Sequence, residues 1–209
     1  MDYVRKVFMN QFPLVKWFVY YLISYRILNN GNADCRLRNN FWIMTIDAHL
    51  LRAAINWCMV FGSRSNSTHW TRLSVAAAEL SQSFYNGLFQ ETGMDEERWQ
   101  KYWKSMTVFR NKYAAHRELE PYTDPVPNFD TALAVAYDKW VRVIISPDSF
   151  DEPPVRHFAK SLKNSVTPLV DMLLTVTQEK VCWNLSIAII KNRGGELSIR
   201  RRPGPWTQK

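Results

Sequence analysis

The stretch "NFWIMTIDAHLLRAAINWCM", Asn40 to Met59, decides the fold class. Its apolar residues Ile43, Ile46, Leu50, Ala54 and Trp57 recur every three to four positions. That spacing lays them along one face of an α-helix, which must be covered by other elements. Similar spacing recurs through most of the chain. The seven glycines and ten prolines gather at a few breaks, so the expectation is an all-α domain.

Upstream, a first helix is expected from about Asp2 to Leu28, kinked or split at Pro13, followed by a loop "NNGNADCRLRNN". Downstream, "VFGSRSNSTHW" reads as a polar loop and a third helix spans roughly Leu73 to Thr92. In "TGMDEERW", Asp95 is a good N-cap with Glu96 and Glu97 in the first turn. The fourth helix should then run to about Arg117. After the proline-rich "EPYTDPVPN", a fifth helix covers about Phe129 to Ile145, and beyond "SPDSFDEPP" a sixth runs from Val155 to about Lys180, with an interruption at Pro168.

Val181 to Ile190 fits two patterns. Val181, Trp183, Leu185, Ile187 and Ile189 alternate like a strand, with "NRGG" able to close a hairpin; Leu173, Val176, Lys180, Trp183 and Ile187 fit a continued helix, which is favoured. The expected organisation is one helical domain over residues 1–180 and a basic extension over 181–209.

With 209 residues, 46% of them hydrophobic, the chain can bury one real core. Its net charge of +8 suits a polyanionic partner. The charge is uneven: from Val181 onward Lys191, Arg193, Arg200, Arg201, Arg202 and Lys209 face Glu196 alone. Such a tail is either a solvated end or a nucleic-acid contact. Cys35, Cys58 and Cys182 form neither a C-x-x-C pair nor a disulfide framework, which points to a reducing, cytoplasmic setting. The longest uncharged run near the start, Trp17 to Tyr25, is about half the ~20 residues a bilayer span needs. The N-terminal helix is therefore expected to be buried or interfacial rather than a membrane span.

The Walker, dinucleotide-binding, nucleophile-elbow and zincin motifs are absent from the sequence. His49, His69, His116 and His157 are not spaced as metal ligands with the cysteines, so no metal or cofactor is expected. What remains is arginine followed four to six residues later by histidine, a spacing that chance supplies about once in such a chain. It occurs as Arg64 with His69 and as Arg110 with His116. The first pair lies in a loop, where a structural role with a satisfied histidine is favoured over an RNA contact. The second lies in "FRNKYAAHREL", Phe109 to Leu119, on a helix. Over six residues an α-helix turns the two side chains roughly 120° apart and about 9 Å along its axis. One copy then cannot form a tight pair, but two copies of the helix can line one groove. The small Ala114 and Ala115 allow close approach, although alanine is also the best helix former.

"RNKYAAH" resembles the signature helix of the HEPN superfamily, and more narrowly that of its abortive-infection-like members, in which "RNK", two residues and then "AH" is typical. The tryptophan-containing "INWCMVFGSRSNSTHW" upstream is similar to the stretch before the motif helix in that group. The motif covers seven residues, while the helical order agrees over about 40 to 145. Glu118 stands where the pattern has an aspartate, which keeps the carboxylate.

The resemblance implies an all-helical HEPN-like bundle, with extra N- and C-terminal segments, that dimerises. It further implies a metal-independent endoribonuclease with a composite site, of toxin or phage-defence character. RNA would be the substrate, a second copy of the chain the partner, and a cognate antitoxin a further partner. In such a site His116 serves as acid and base, Arg110 clamps phosphate and Asn111 orients one of them. Histidine titrates near neutrality and arginine presents a planar fork to phosphate. Lys112 and Tyr113 are candidate RNA contacts, with Arg64 and His69 a further pair. The alternative is a non-catalytic helical module that binds nucleic acid or protein. In that case Arg110 would pair with a carboxylate and His116 would be a half-buried polar residue.

Overall fold

The computed structural model describes residues 3–33, 40–73, 77–115, 125–144 and 155–191. Among them the chain is all-α, as the periodicity predicts, with six α-helices: α1 (Tyr3–Ala33), α2 (Asn40–Phe61), α3 (Ala77–Thr92), α4 (Glu96–Phe109), α5 (Phe129–Ile144) and α6 (Val155–Lys191). A 3-10 turn, Trp70–Leu73, precedes α3, and a π-helical turn, Arg110–Ala115, follows α4. No helix among the described residues is long and apolar enough to cross a membrane.

The central packing is α1 against α2, with α6 along α1 and α3 against α5. From α1, Phe8, Phe12, Val15, Phe18, Val19 and Leu22 point inward. From α2 come Leu50, Ala53, Ala54, Trp57 and Phe61. Trp57 is fully enclosed, with Phe61, Trp99 and Tyr102 around its ring. Removing such a side chain costs about 3–5 kcal/mol, a large share of a typical stability of about 5–15 kcal/mol. The α2 stripe holds from Ile46 to Trp57, but Ile43, its expected first member, is exposed beside Phe41 and Met44.

Three boundaries differ from the sequence expectation, each through packing or continuity. α1 passes Pro13 unbroken; that residue is exposed, so its ring and missing N–H fall on the solvent side. α1 also continues past Leu28 through "NNGNA", and Leu28 packs with Ile46 and Val170 in a small second cluster. α6 runs through Pro168 and through residues 181–190, so the helical alternative is the one observed there. Residues 192–209, with most of the basic tail, lie outside the described residues.

Candidate active site

The motif helix starts as the sequence dictates. Asp95 adopts an extended backbone (φ −91°, ψ 177°), and its Oδ1 accepts from the Arg98 N–H at 2.8 Å, capping α4. Trp99, Tyr102, Met106 and Phe109 form its buried stripe. The α-helix was expected to reach Arg117 but ends at Phe109, and Arg110–Ala115 forms a π-turn. The Arg110 N–H is shared between the carbonyls of Met106 and Thr107 at this junction. The α-helical spacing therefore does not hold through Arg110–Ala115, because an i→i+5 turn spreads its residues over a wider ring. No proline or glycine lies between 96 and 115 to signal the change; the π-turn is seated against both α2 and α4.

Arg110 is half-buried, with its guanidinium beside Cys58 in the last turn of α2. Burial pushes the Cys58 thiol up to about 11, and the nearby arginine offsets part of that rise. The thiol stays protonated at neutral pH and points at the Met106 carbonyl, 3.8 Å away. It therefore does not neutralise Arg110. Among the described residues no carboxylate pairs with Arg110, and its Nε is buried without a hydrogen-bond partner. Asn111 is exposed next to it, and Lys112 is half-buried. Tyr113 stacks on Phe109 at 4.8 Å between ring centroids, so one face of its ring is held by the core. His116 and Glu118 lie outside the described residues.

The second pair sits where α2 ends. Asn66 Nδ2 donates to the carbonyls of Cys58 (3.1 Å) and Met59 (3.4 Å), and Thr68 Oγ1 donates to Met59 at 2.9 Å. These side chains satisfy carbonyls that a helix C-terminus leaves open. Gly62 is required at the turn, since a Cβ there would lie 2.4 Å from the Cys58 oxygen. Trp103 of α4 ties the segment down through Nε1, which donates to Phe61 (2.9 Å) and Gly62 (3.1 Å).

His69 is only 3% exposed, and its carbonyl accepts from Gln11 Nε2 at 2.8 Å. Burial, reinforced by Arg64 and Arg72, lowers its pKa to about 4. At neutral pH His69 is an uncharged imidazole and cannot be a cationic phosphate contact. Arg64 projects into solvent.

Cys58 as the neighbour of Arg110 was not legible in the sequence, because 52 positions separate the two and only the α2–α4 packing joins them. Among the described residues no three His, Cys, Asp or Glu side chains gather as a metal-ligand set. Comparison with protein-family models, curated proteins and solved structures returns no match.

Proposed function

We propose that this chain is a metal-independent endoribonuclease of the HEPN type, acting as a toxin or phage-defence effector. In it, Arg110 and His116 from two copies of the chain share one groove. The observation that carries the reading is the state of Arg110. It stands first in "RNKYAAH" on a π-turn, a departure from α-geometry frequent at functional sites. Its guanidinium is half-buried and unneutralised by any described carboxylate, with one nitrogen left without a partner. A guanidinium nitrogen buried without a partner is costly unless something fills its coordination. A phosphodiester supplies the planar, anionic acceptor that the fork fits.

The chemistry needs no redox partner. A 2′-hydroxyl attacks the adjacent phosphorus and gives its proton to a neutral His116. Arg110 stabilises the negative charge of the phosphorane. The 5′-oxygen leaves with a proton from the second, protonated His116, yielding a 2′,3′-cyclic phosphate and a free 5′-hydroxyl.

The test is cleavage of single-stranded RNA by the purified full-length protein in EDTA. Arg110→Ala and His116→Ala should each lower the rate at least ~100-fold with the helical circular dichroism unchanged. Undiminished cleavage by either variant overturns the assignment.

A second reading, binding without cleavage, has its own support. Arg156, Lys160 and Lys163 recur at i, i+4 and i+7 on α6 and, with Arg26, line a cavity of about 430 Å³ against α1 and α5. The tail adds further cations. Removing the chain after Lys191 should reduce the salt dependence of RNA binding if the tail drives it, while leaving a helix-borne cleavage site active.

A further inference from the structure

Beside the motif helix lies a cavity of about 300 Å³ that "RNKYAAH" does not explain. Aromatic rings form its walls: Phe61 from the end of α2, Trp70 from the 3-10 turn, Phe84 and Tyr85 from α3, and Trp99 and Trp103 from α4. Trp70 and Phe84 stack on each other at 4.1 Å, and Tyr85 meets Trp70 edge-on at 6.0 Å. These are flat, rigid faces held by the core. Arg64 and Gln100, both exposed, stand among its lining residues and give it a polar rim.

A further polar group is His69. The Thr71 backbone N–H donates to its Nδ1 at 3.3 Å, and the Thr71 hydroxyl lies 2.8 Å from the same nitrogen. A nitrogen that accepts an amide proton carries none of its own, so the neutral ring holds its proton on Nε2. That N–H has no partner among the described residues, and the ring lines the cavity while almost wholly buried. It is a donor that opens into an aromatic recess, beside a solvated arginine.

Aromatic walls, one fixed donor and a cation at the rim match the chemistry of a nucleotide unit, in which a π-face, an acceptor edge and a phosphate occur together. Position argues the same way. Trp103 and Arg110 are seven residues apart, close to one face of the same helix and about 10 Å along it. That is roughly three nucleotides stacked at ~3.4 Å each. On α2, Phe61 borders the cavity and Cys58, three residues and about 4.5 Å away along the helix, lies beside Arg110.

We infer that this cavity is a base-recognition subsite for single-stranded RNA. It holds one nucleobase between the aromatic faces, with His69 Nε2–H donated to an acceptor on the base edge and Arg64 on the adjoining phosphate. The inference rests on the proposed function in taking RNA as the ligand. It adds that sequence preference originates here rather than at Arg110.

The experiment uses the full-length protein in EDTA with trinucleotides of each base carrying 2′-O-methyl groups, which cannot be cleaved. Binding is read by tryptophan fluorescence. Saturable quenching is expected, strongest for one base identity. Arg64→Ala and Tyr85→Ala should each weaken binding about tenfold, whereas Arg110→Ala should keep the base preference. Arg64 is exposed, so that variant is expected to fold, and Tyr85→Phe, which keeps the ring, should bind as wild type.

Equal affinity for all four bases, or unchanged binding in both weakening variants, overturns the subsite. Free mononucleotides binding as tightly as the trinucleotides overturn RNA as its source. Cleavage of RNA with no effect of the cavity variants on binding or base preference defeats this inference and leaves the nuclease reading standing. Selective trinucleotide binding without any cleavage does the reverse.

Discussion

Asn66 and Thr68 bond the end of α2 and the His69 carbonyl accepts from Gln11 of α1, so the loop after α2 is held by hydrogen bonds from several directions. At Arg110 the situation is reversed: a half-buried guanidinium has a nitrogen without a partner, and its ionisable neighbour Cys58 on α2 is a thiol that stays neutral. Both segments contain an arginine followed by a histidine, yet they differ in what is left unsatisfied. In the loop the arginine is solvated and the histidine buried. At the π-turn it is the arginine that is half-buried. Where charge is enclosed without compensation, the surroundings must supply a ligand or bear the cost. That contrast, rather than the spacing, separates a supporting element from a candidate for chemistry.

The largest expected effect breaks the comparison at Arg110. Replacing it by lysine keeps the charge but loses the planar fork, so RNA cleavage should fall well below wild type while remaining above Arg110→Ala. The loss in Arg110→Ala, at least ~100-fold, corresponds to about 2.7 kcal/mol of barrier. Stability should change little or rise in the alanine variant, because it removes an enclosed charge that no described carboxylate offsets. A urea midpoint that collapses in Arg110→Ala would make the residue a structural one.

His69 comes next, through pH. The unfolded chain takes up a proton on this ring near pH 6.5, but the folded chain does so only near pH 4. Between those values the unfolded state binds more protons, so folding stability falls as pH drops from about 6.5 to about 4. His49, whose pKa burial also lowers, adds in the same direction. His69→Gln should flatten the decline in urea midpoint over that window. An equal slope in the variant would mean that the ring is less enclosed than its 3% exposure indicates.

A smaller effect belongs to Asn66. Its amide closes two carbonyls at the end of α2, and Asn66→Ala should cost roughly 1–2 kcal/mol in equilibrium unfolding with no change in the slope against denaturant. A neutral substitution would show that solvent replaces these bonds without penalty, and that the loop is less over-determined than Arg110's surroundings suggest by contrast.

These differences also mark how far the sequence could be read. The α2 stripe from Ile46 to Trp57 and the Asp95 cap are local signals, since periodicity and a cap need only a few consecutive residues. Pro13 and Pro168 misled as breaks because a proline stops a helix only where its missing hydrogen bond and its ring are not absorbed by the solvent face or by packing. The π-turn leaves no trace in "RNKYAA", as it depends on how α2 and α4 seat that turn. The cavity was hidden for the same reason: Phe61, Trp70, Phe84 and Trp103 are far apart in the chain, and only topology brings their rings together. His116 lies outside the described residues, and its role rests on the motif.

The smallest effect concerns Arg64, and it tests whether the loop arginine is structural at all. Its side chain is exposed and forms no ion pair among the described residues, whereas its backbone carbonyl accepts from Arg72 Nη2 at 3.2 Å. Alanine keeps that carbonyl, so Arg64→Ala should shift stability by no more than about 0.5 kcal/mol. One local consequence remains. Arg64 is the second cause, after burial, of the lowered His69 pKa. Removing its charge should move the His69 titration upward in an NMR experiment, yet leave it below the ordinary value because burial and Arg72 persist. An unchanged titration would place the guanidinium too far from the ring to share a ligand with it, and would separate the two halves of the pair for good.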